Sequence, residues 1–163
     1  ESVSKNNSYS LGTDTPHFIF NFIDYLYWVD SKNENKINKS YSIEDFDFKY
    51  WNSVEHHMAR EWADRNGITD KDEFIDNLGN LCLISKSSNS RLSDRDVKEK
   101  VQTFGGGNLG AKRQIMYKMS KDAEDTYTWT EDKIKQHYND LLELLKNRKN
   151  ILCNKYSPLE VNN

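Results

Sequence analysis

The chain has 163 residues, enough for one hydrophobic core and short of what two independent cores need. Hydrophobic residues make up 36%, charged residues 30% and aromatic residues 12%, which excludes a disordered chain and points to a core built from rings more than from aliphatics. The formal net charge of −3 excludes a global pull toward nucleic acid or membranes, so any polyanion contact must come from a local patch.

From the N-terminus, residues 1–13 are polar, rich in Ser and Asn, and read as a flexible leader or the end of a linker. The chain opens on Glu1 without an initiator methionine and reads as a piece of something longer. TDTPHFIFNFIDYLYWVD predicts a helix: Asp14 or Thr15 serves as N-cap, Pro16 takes the first helical position, and Phe18, Phe22, Tyr25 and Val29 recur at helical spacing. Ile19, Ile23 and Leu26 widen that face, so the helix belongs to the core and its aromatics are structural. After a polar connector from Ser31, the stretch Tyr41 to Tyr50 mixes acids and aromatics, and FDFKYWNSVEH alternates as a strand running into SVEHHMARE. MAREWADRNGITDKDEF, broken at Gly67, suggests a loop or short helix. LGNLCLIS gives a second short strand, Leu81 to Ile84, and SKSSNSRLSD a turn. From Ser93, an N-cap serine, an acid in the first turn, and Val97 and Val101 at i, i+4 predict a helix. GGGNLGAKR follows as a hinge, then a helix around QIMYKMSK. After an acidic link, Thr130 caps a last helix with Ile134, Tyr138, Leu141 and Leu145 on one face. The domain so outlined spans residues 14–150, with 151–163 as a C-terminal tail.

Cys82 and Cys153 lie far apart in unlike contexts, form neither a CxxC zinc pair nor a disulfide framework, and read as reduced thiols of a cytoplasmic protein. Cys82, between Leu81 and Leu83, reads as core. Asn7 begins an NxS sequon that carries no weight without a signal peptide. No apolar run approaches the roughly 20 residues that a membrane span needs. His17 and His137 read as structural helix residues, and Trp28, Trp51, Trp62 and Trp129 as packing rather than base-stacking groups.

Four positions carry the chemistry: Glu55 and His56 at the end of the first strand, Asn80 opening the second, and Asn89 at the turn into the following helix. A hard divalent cation prefers oxygen ligands, which a carboxylate and an amide supply while leaving room for water and phosphate. An imidazole nearby can take a proton from that water near neutral pH. These residues resemble a known family. SVEHHMARE followed by NLGNLCLISKSSNSRLSDRDVKEK is similar to the HNH nuclease domain at the C-terminal end of GmrSD-type modification-dependent restriction enzymes, whose pattern runs EHIxPQ, GNLxLL, NSxLS and a helix containing EK. FNFIDYLYW and WTEDKIKQHYNDLLELL resemble that family's flanking helices, so the likeness covers most of residues 16–148. The spacing also resembles, more distantly, the HNH domain of CRISPR effector nucleases.

The resemblance implies an α+β fold, a mainly helical domain around a ββα-metal core of two short strands and a helix that clamps one Mg²⁺ or Mn²⁺ ion. By position, His56 is the general base, Glu55 and Asn89 bind the metal, and Asn80 holds the loop and the orientation of His56. It further implies DNA, modified or not, as substrate, 5′-phosphate and 3′-hydroxyl ends, a place in bacterial defence against phage, and an N-terminal ParB-like nucleotide-hydrolysing domain in a longer protein. The sequence departs where EHIxPQ becomes EHHMAR: His57 replaces an aliphatic residue, Ala59 the proline and Arg60 the glutamine. Neighbouring strand residues face opposite ways, so the two histidines cannot share one role. The pattern favours His56, with His57 as the alternative base.

GGGNLG satisfies GxGxxG literally, but it follows a predicted helix rather than a strand, and Lys112 falls one place late for a phosphate loop. From Lys86 to Lys121 nine basic residues stand against three acids, a surplus of six. Lys86, Arg91, Arg95, Lys112 and Arg113 in that segment are the expected phosphate contacts. Two other readings remain open at this point: a DNA-binding or regulatory module without catalysis, and a protein-interaction domain with no affinity for nucleic acid.

Overall fold

Helix α1 (His17–Ser31) runs through the core, packed against elements from the far end of the chain. Its buried side is Phe20, Ile23, Leu26, Tyr27 and Val29, whereas Phe18 is 70% exposed and Phe22 and Tyr25 are half-buried. The face predicted from the aromatic spacing is thus rotated, because large rings occur almost all round this helix and periodicity alone cannot choose between them. The helix begins at His17, after Pro16, and Thr15 does not cap it: its Oγ1 accepts from Leu11 N at 3.1 Å. The computed structural model describes residues 11–33, 36–37, 42–44, 46–68, 71–106, 108–123 and 126–155. Most of the predicted leader, the sequon at Asn7, Tyr41 and residues 156–163 of the predicted tail lie outside these.

Strand β1 (Ser53–His56) pairs antiparallel with β2 (Leu81–Ile84). Ser53 is opposite Ile84, Val54 opposite Leu83, Glu55 opposite Cys82 and His56 opposite Leu81. The longer strand predicted from FDFKYWNSVEH does not form: residues 46–52 lie outside any strand. β2 offers only four residues to pair with, so the alternation upstream of Ser53 finds no partner. Phe46 and Phe48 meet edge to face instead, and Phe48 also touches the rings of Tyr25 and Trp28.

Between the strands come two short helices, α2 (Arg60–Arg65) and α3 (Lys71–Phe74), and a 3₁₀ turn at Leu78–Asn80. SKSSNSRLSD is a helix rather than a turn: α4 (Lys86–Leu92) starts from Ser85, whose Oγ accepts from Ser88 N at 3.1 Å. Ser and Asn serve turns and N-caps by the same local hydrogen bond, so composition alone does not separate the two. The chain leaves α4 through Ser93 at φ +42°, and α5 (Val97–Phe104) is capped by Asp96 rather than Ser93, its carboxylate accepting from Glu99 N at 2.7 Å. β1, β2 and α4, which packs on β1, make a compact ββα unit.

Helices α6 (Ala111–Ser120), α7 (Glu131–Lys146) and α8 (Arg148–Lys155) complete the mainly helical α+β fold. Thr130 caps α7 as expected, accepting from Lys133 N at 3.3 Å. α7 is not the last helix; residues 151–155 of the predicted tail continue α8, and Ile151 is buried in the core. Gly79 explains the GNL signal physically: a Cβ there would stand 2.4 Å from Ile134 O, so only glycine lets α7 cross the 3₁₀ turn so closely.

α6 is buried on nearly every side. Lys112 N donates to Asp24 Oδ1 at 2.6 Å, and Lys112 Nζ donates to the carbonyls of Leu78, at 2.8 Å, and Leu81. Burial raises Asp24 to about 7 and lowers Lys112 to about 8, against the attraction between the two.

Candidate active site

Val54, Glu55 and His56 from β1, Ala59, Arg60 and Glu61 at the start of α2, and Asn89, Ser93 and Asp94 from α4 and the bend after it line one cleft of about 300 Å³. Three of the four sequence-predicted positions therefore meet in one place. Alternation along β1 sends Glu55 and His56 to different surroundings.

Glu55 turns inward, and Oε1 accepts from Lys100 Nζ of α5 at 2.6 Å. The same ammonium donates to the carbonyl oxygen of His56 at 2.5 Å. Lys100 is only 1% exposed, so this cation is committed to the end of β1. Asn89 Nδ2 donates to Ser53 Oγ at 2.7 Å, which fixes the amide plane and leaves its Oδ1 with no donor among the described residues.

His56 Nε2 lies 2.8 Å from Asp76 Oδ1, and both oxygens of Asp76 accept from Arg60 Nη2 at 2.6 Å. Burial acts to raise Asp76, but hydrogen bonds from His56 and Arg60 outweigh it and hold the carboxyl below its ordinary value. An ionised carboxylate only accepts, so the hydrogen bond between the two is donated by His56 Nε2–H.

His57 is 2% exposed and lies outside the cleft. Its ring stacks on Tyr117 and meets Trp129 edge to face. Ser120 Oγ donates to Met116 O at 2.7 Å and therefore accepts from His57 Nε2–H, also at 2.7 Å. Burial, followed by the nearby cations Lys100 and Arg113, drives this imidazole well below its ordinary value. A neutral core histidine cannot serve the cleft, so the alternative base is withdrawn.

Asn80 is fully buried and does not touch the His56 ring. Its Oδ1 accepts from Met58 N at 2.8 Å and Trp129 Nε1 at 3.0 Å, while Nδ2 donates to Met58 O at 3.1 Å and Ile75 O at 2.9 Å. The ladder extends one step further, since Asn80 O accepts from His57 N. Asn80 holds the loop after β1, and through it the path of the chain leaving His56.

Among the expected phosphate contacts, Lys86, Arg91 and Arg95 are exposed. Arg91 lies over the Phe104 ring, and Arg91 and Arg95 line a second cleft of about 590 Å³ that shares Ser93 and Asp94 with the first. Lys112 and Arg113 are buried, the latter donating to Tyr117 Oη, and so leave the phosphate track. A charge count along the sequence carries no information on which way α6 faces.

The donor set suits a hard cation that keeps most of its waters: one oxygen of Glu55 beside the one held by Lys100, and the Asn89 Oδ1. Among the described residues no three His, Cys, Asp or Glu side chains converge as a cage. The sequence reading passed over Asp76 and Lys100. Only Arg60, standing where the EHIxPQ pattern has glutamine, signalled that the surroundings of His56 had changed.

A family model described as the C-terminal domain of GmrSD restriction endonucleases matches residues 4–144. No curated protein and no solved structure matches the chain.

Proposed function

The chain belongs to the family of GmrSD restriction endonuclease C-terminal domains, and from that membership we propose that it is an HNH-type nuclease unit that hydrolyses DNA phosphodiester bonds at the cleft between β1 and α4. One observation supports this above others: Glu55, His56 and Asn89, brought from two separate elements, line the same small cleft, and the His56 ring is anchored through Nε2 to Asp76.

His56 Nδ1 takes the proton from the attacking water. Glu55 and Asn89 offer oxygens to Mg²⁺ or Mn²⁺, and Lys100 balances part of the Glu55 charge from the buried side. When bound, such an ion supplies charge stabilisation on the phosphate and on the departing 3′ oxygen. Asn80 keeps the chain after His56 in place, and the exposed side chains of Lys86, Arg91 and Arg95 are the ones we assign to the phosphates of a strand leaving the cleft. In the cell we place this unit in the cytoplasm, in a longer protein whose N-terminal ParB-like nucleotide-hydrolysing domain selects foreign or modified DNA, with phage restriction as the outcome. No helix among the described residues is long and apolar enough to cross a membrane.

Supercoiled plasmid incubated with Mg²⁺ or Mn²⁺ tests the reading. The wild type is expected to nick it, and His56→Ala and Asn89→Ala to do so at least about 100-fold more slowly. Equal nicking by wild type and His56→Ala overturns the assignment of the base. The rival is a DNA-binding module without hydrolysis, favoured by the Lys100 ammonium seated on Glu55; it would retard DNA on a gel in a salt-dependent way and nick nothing.

A further inference from the structure

The loop before the 3₁₀ turn places a carboxylate against the imidazole of β1, and nothing in the EHIxPQ or GNLxLL patterns asks for one there. Asp76 belongs to a segment distant in sequence from His56, yet Oδ1 reaches Nε2 at 2.8 Å. Arg60, which lines the cleft, grips both oxygens of Asp76 from the other side. The Leu11–Thr15 turn closes over the same carboxylate: a Cβ built on Gly12 would stand 3.1 Å from Asp76 Cβ. Asp76 is thus held by two segments, the start of α2 and the Leu11–Thr15 turn, while it faces the His56 ring.

We propose that Asp76, clamped by Arg60, is the positioning residue of the catalytic base: it accepts the Nε2–H of His56, fixes the ring orientation and reserves Nδ1 for the proton of the attacking water. The proposal rests on the nuclease reading for its consequence in catalysis, but its geometry stands without it. An imidazole with both nitrogens unconstrained divides between two tautomers and several ring orientations, and only one combination aims a lone pair at the water. The substitution of arginine for glutamine at position 60 then has a purpose, since a glutamine amide would not bring the positive charge that keeps Asp76 ionised and seated.

The test uses the full chain, wild type against Asp76→Ala, Asp76→Asn and Arg60→Gln, with thermal melting to establish that each variant is folded. Nitrogen-15 spectra of the histidine rings, recorded without DNA, are expected to show His56 as the Nε2–H tautomer in the wild type and as a mixture in Asp76→Ala. In plasmid cleavage kcat is expected to fall about 10- to 1,000-fold in Asp76→Ala with KM within about twofold, and Asp76→Asn, whose Oδ1 can still accept, is expected to recover part of the loss. Arg60→Gln is expected to fall between. A wild-type spectrum showing His56 protonated on Nδ1, or an Asp76→Ala protein that is folded and cuts at the wild-type rate, overturns the proposal. The spectra decide the Asp76 assignment even in a preparation that cuts nothing, whereas the nuclease reading itself is decided by His56→Ala.

Discussion

Lys100 Nζ stands 2.6 Å from Glu55 Oε1 with both side chains removed from solvent, so a helix that follows the ββα unit supplies the counter-charge for its acidic residue. Removing one member leaves the other charge buried and unpaired, which typically costs about 3–5 kcal/mol. Lys100→Met is expected to lose that much in denaturant unfolding, and Lys100→Met with Glu55→Gln to recover most of it. A double mutant no more stable than Lys100→Met would show that the pair is not what the lysine contributes.

Acid should weaken the fold through two core histidines. His57 and His137 are both held well below the ordinary imidazole value, chiefly by burial, and His137 donates through Nδ1 to Gly79 O at 2.7 Å. Their folded values are depressed, so the unfolded chain binds protons first as pH falls. Their contribution is then complete above about 6.5 and declines below it, by about 1.4 kcal/mol per pH unit for each histidine, while Asp24, raised to about 7 in the fold, takes up a proton over the same range and offsets about one histidine's share. Unfolding titrations between pH 7 and 5 measure the net slope, and His57→Gln is expected to lower it by about 1.4 kcal/mol per pH unit.

Asn89 makes one cross-element hydrogen bond, to Ser53, and is only partly buried. Asn89→Ala is expected to cost about 0.5–1.5 kcal/mol of stability while weakening Mn²⁺ binding, followed by its electron paramagnetic resonance signal, by about tenfold or more. Loss of stability with unchanged Mn²⁺ binding would remove Asn89 from the donor set.

Gly12 sits at φ +60°, where a side chain is strained whatever the space, and a methyl there also crowds Asp76. Gly12→Ala is expected to lose about 1 kcal/mol or more in thermal unfolding. It is also expected to slow plasmid cleavage at temperatures where the variant remains fully folded.

Lys86 and Arg91 are expected to act on DNA affinity rather than on the fold. Lys86→Ala and Arg91→Ala should each weaken binding evenly across sequences and lower the slope of log K against log salt by about 1. Lys112→Met, by contrast, should register in unfolding experiments, because its ammonium is spent on the carbonyls of Leu78 and Leu81.

How much of this was legible beforehand differs by residue. β2, the Thr130 cap and the placing of Glu55, His56 and Asn89 in one cleft could be read because each rests on local spacing or on a motif whose members keep a fixed order. The partners of those residues could not. Asp76, Lys100 and Ser53 meet them through chain paths that only packing determines, and a carboxylate or lysine in a polar stretch looks the same in sequence whether solvated or committed. His57 misled for a related reason: an imidazole beside a candidate base suggests shared chemistry, whereas alternation along the chain had already sent it into the core against Tyr117 and Trp129.

A ribbon of two four-residue strands would not persist in water without support, and here β2 is buried along its whole length while Asn80 and Lys100 tie its partner strand to the rest. This edge of the cleft therefore has no private way to come apart. Its amides should exchange with deuterated solvent only as slowly as the whole molecule opens, and the residues that would cut DNA should keep their alignment until the last cooperative unit of the fold gives way.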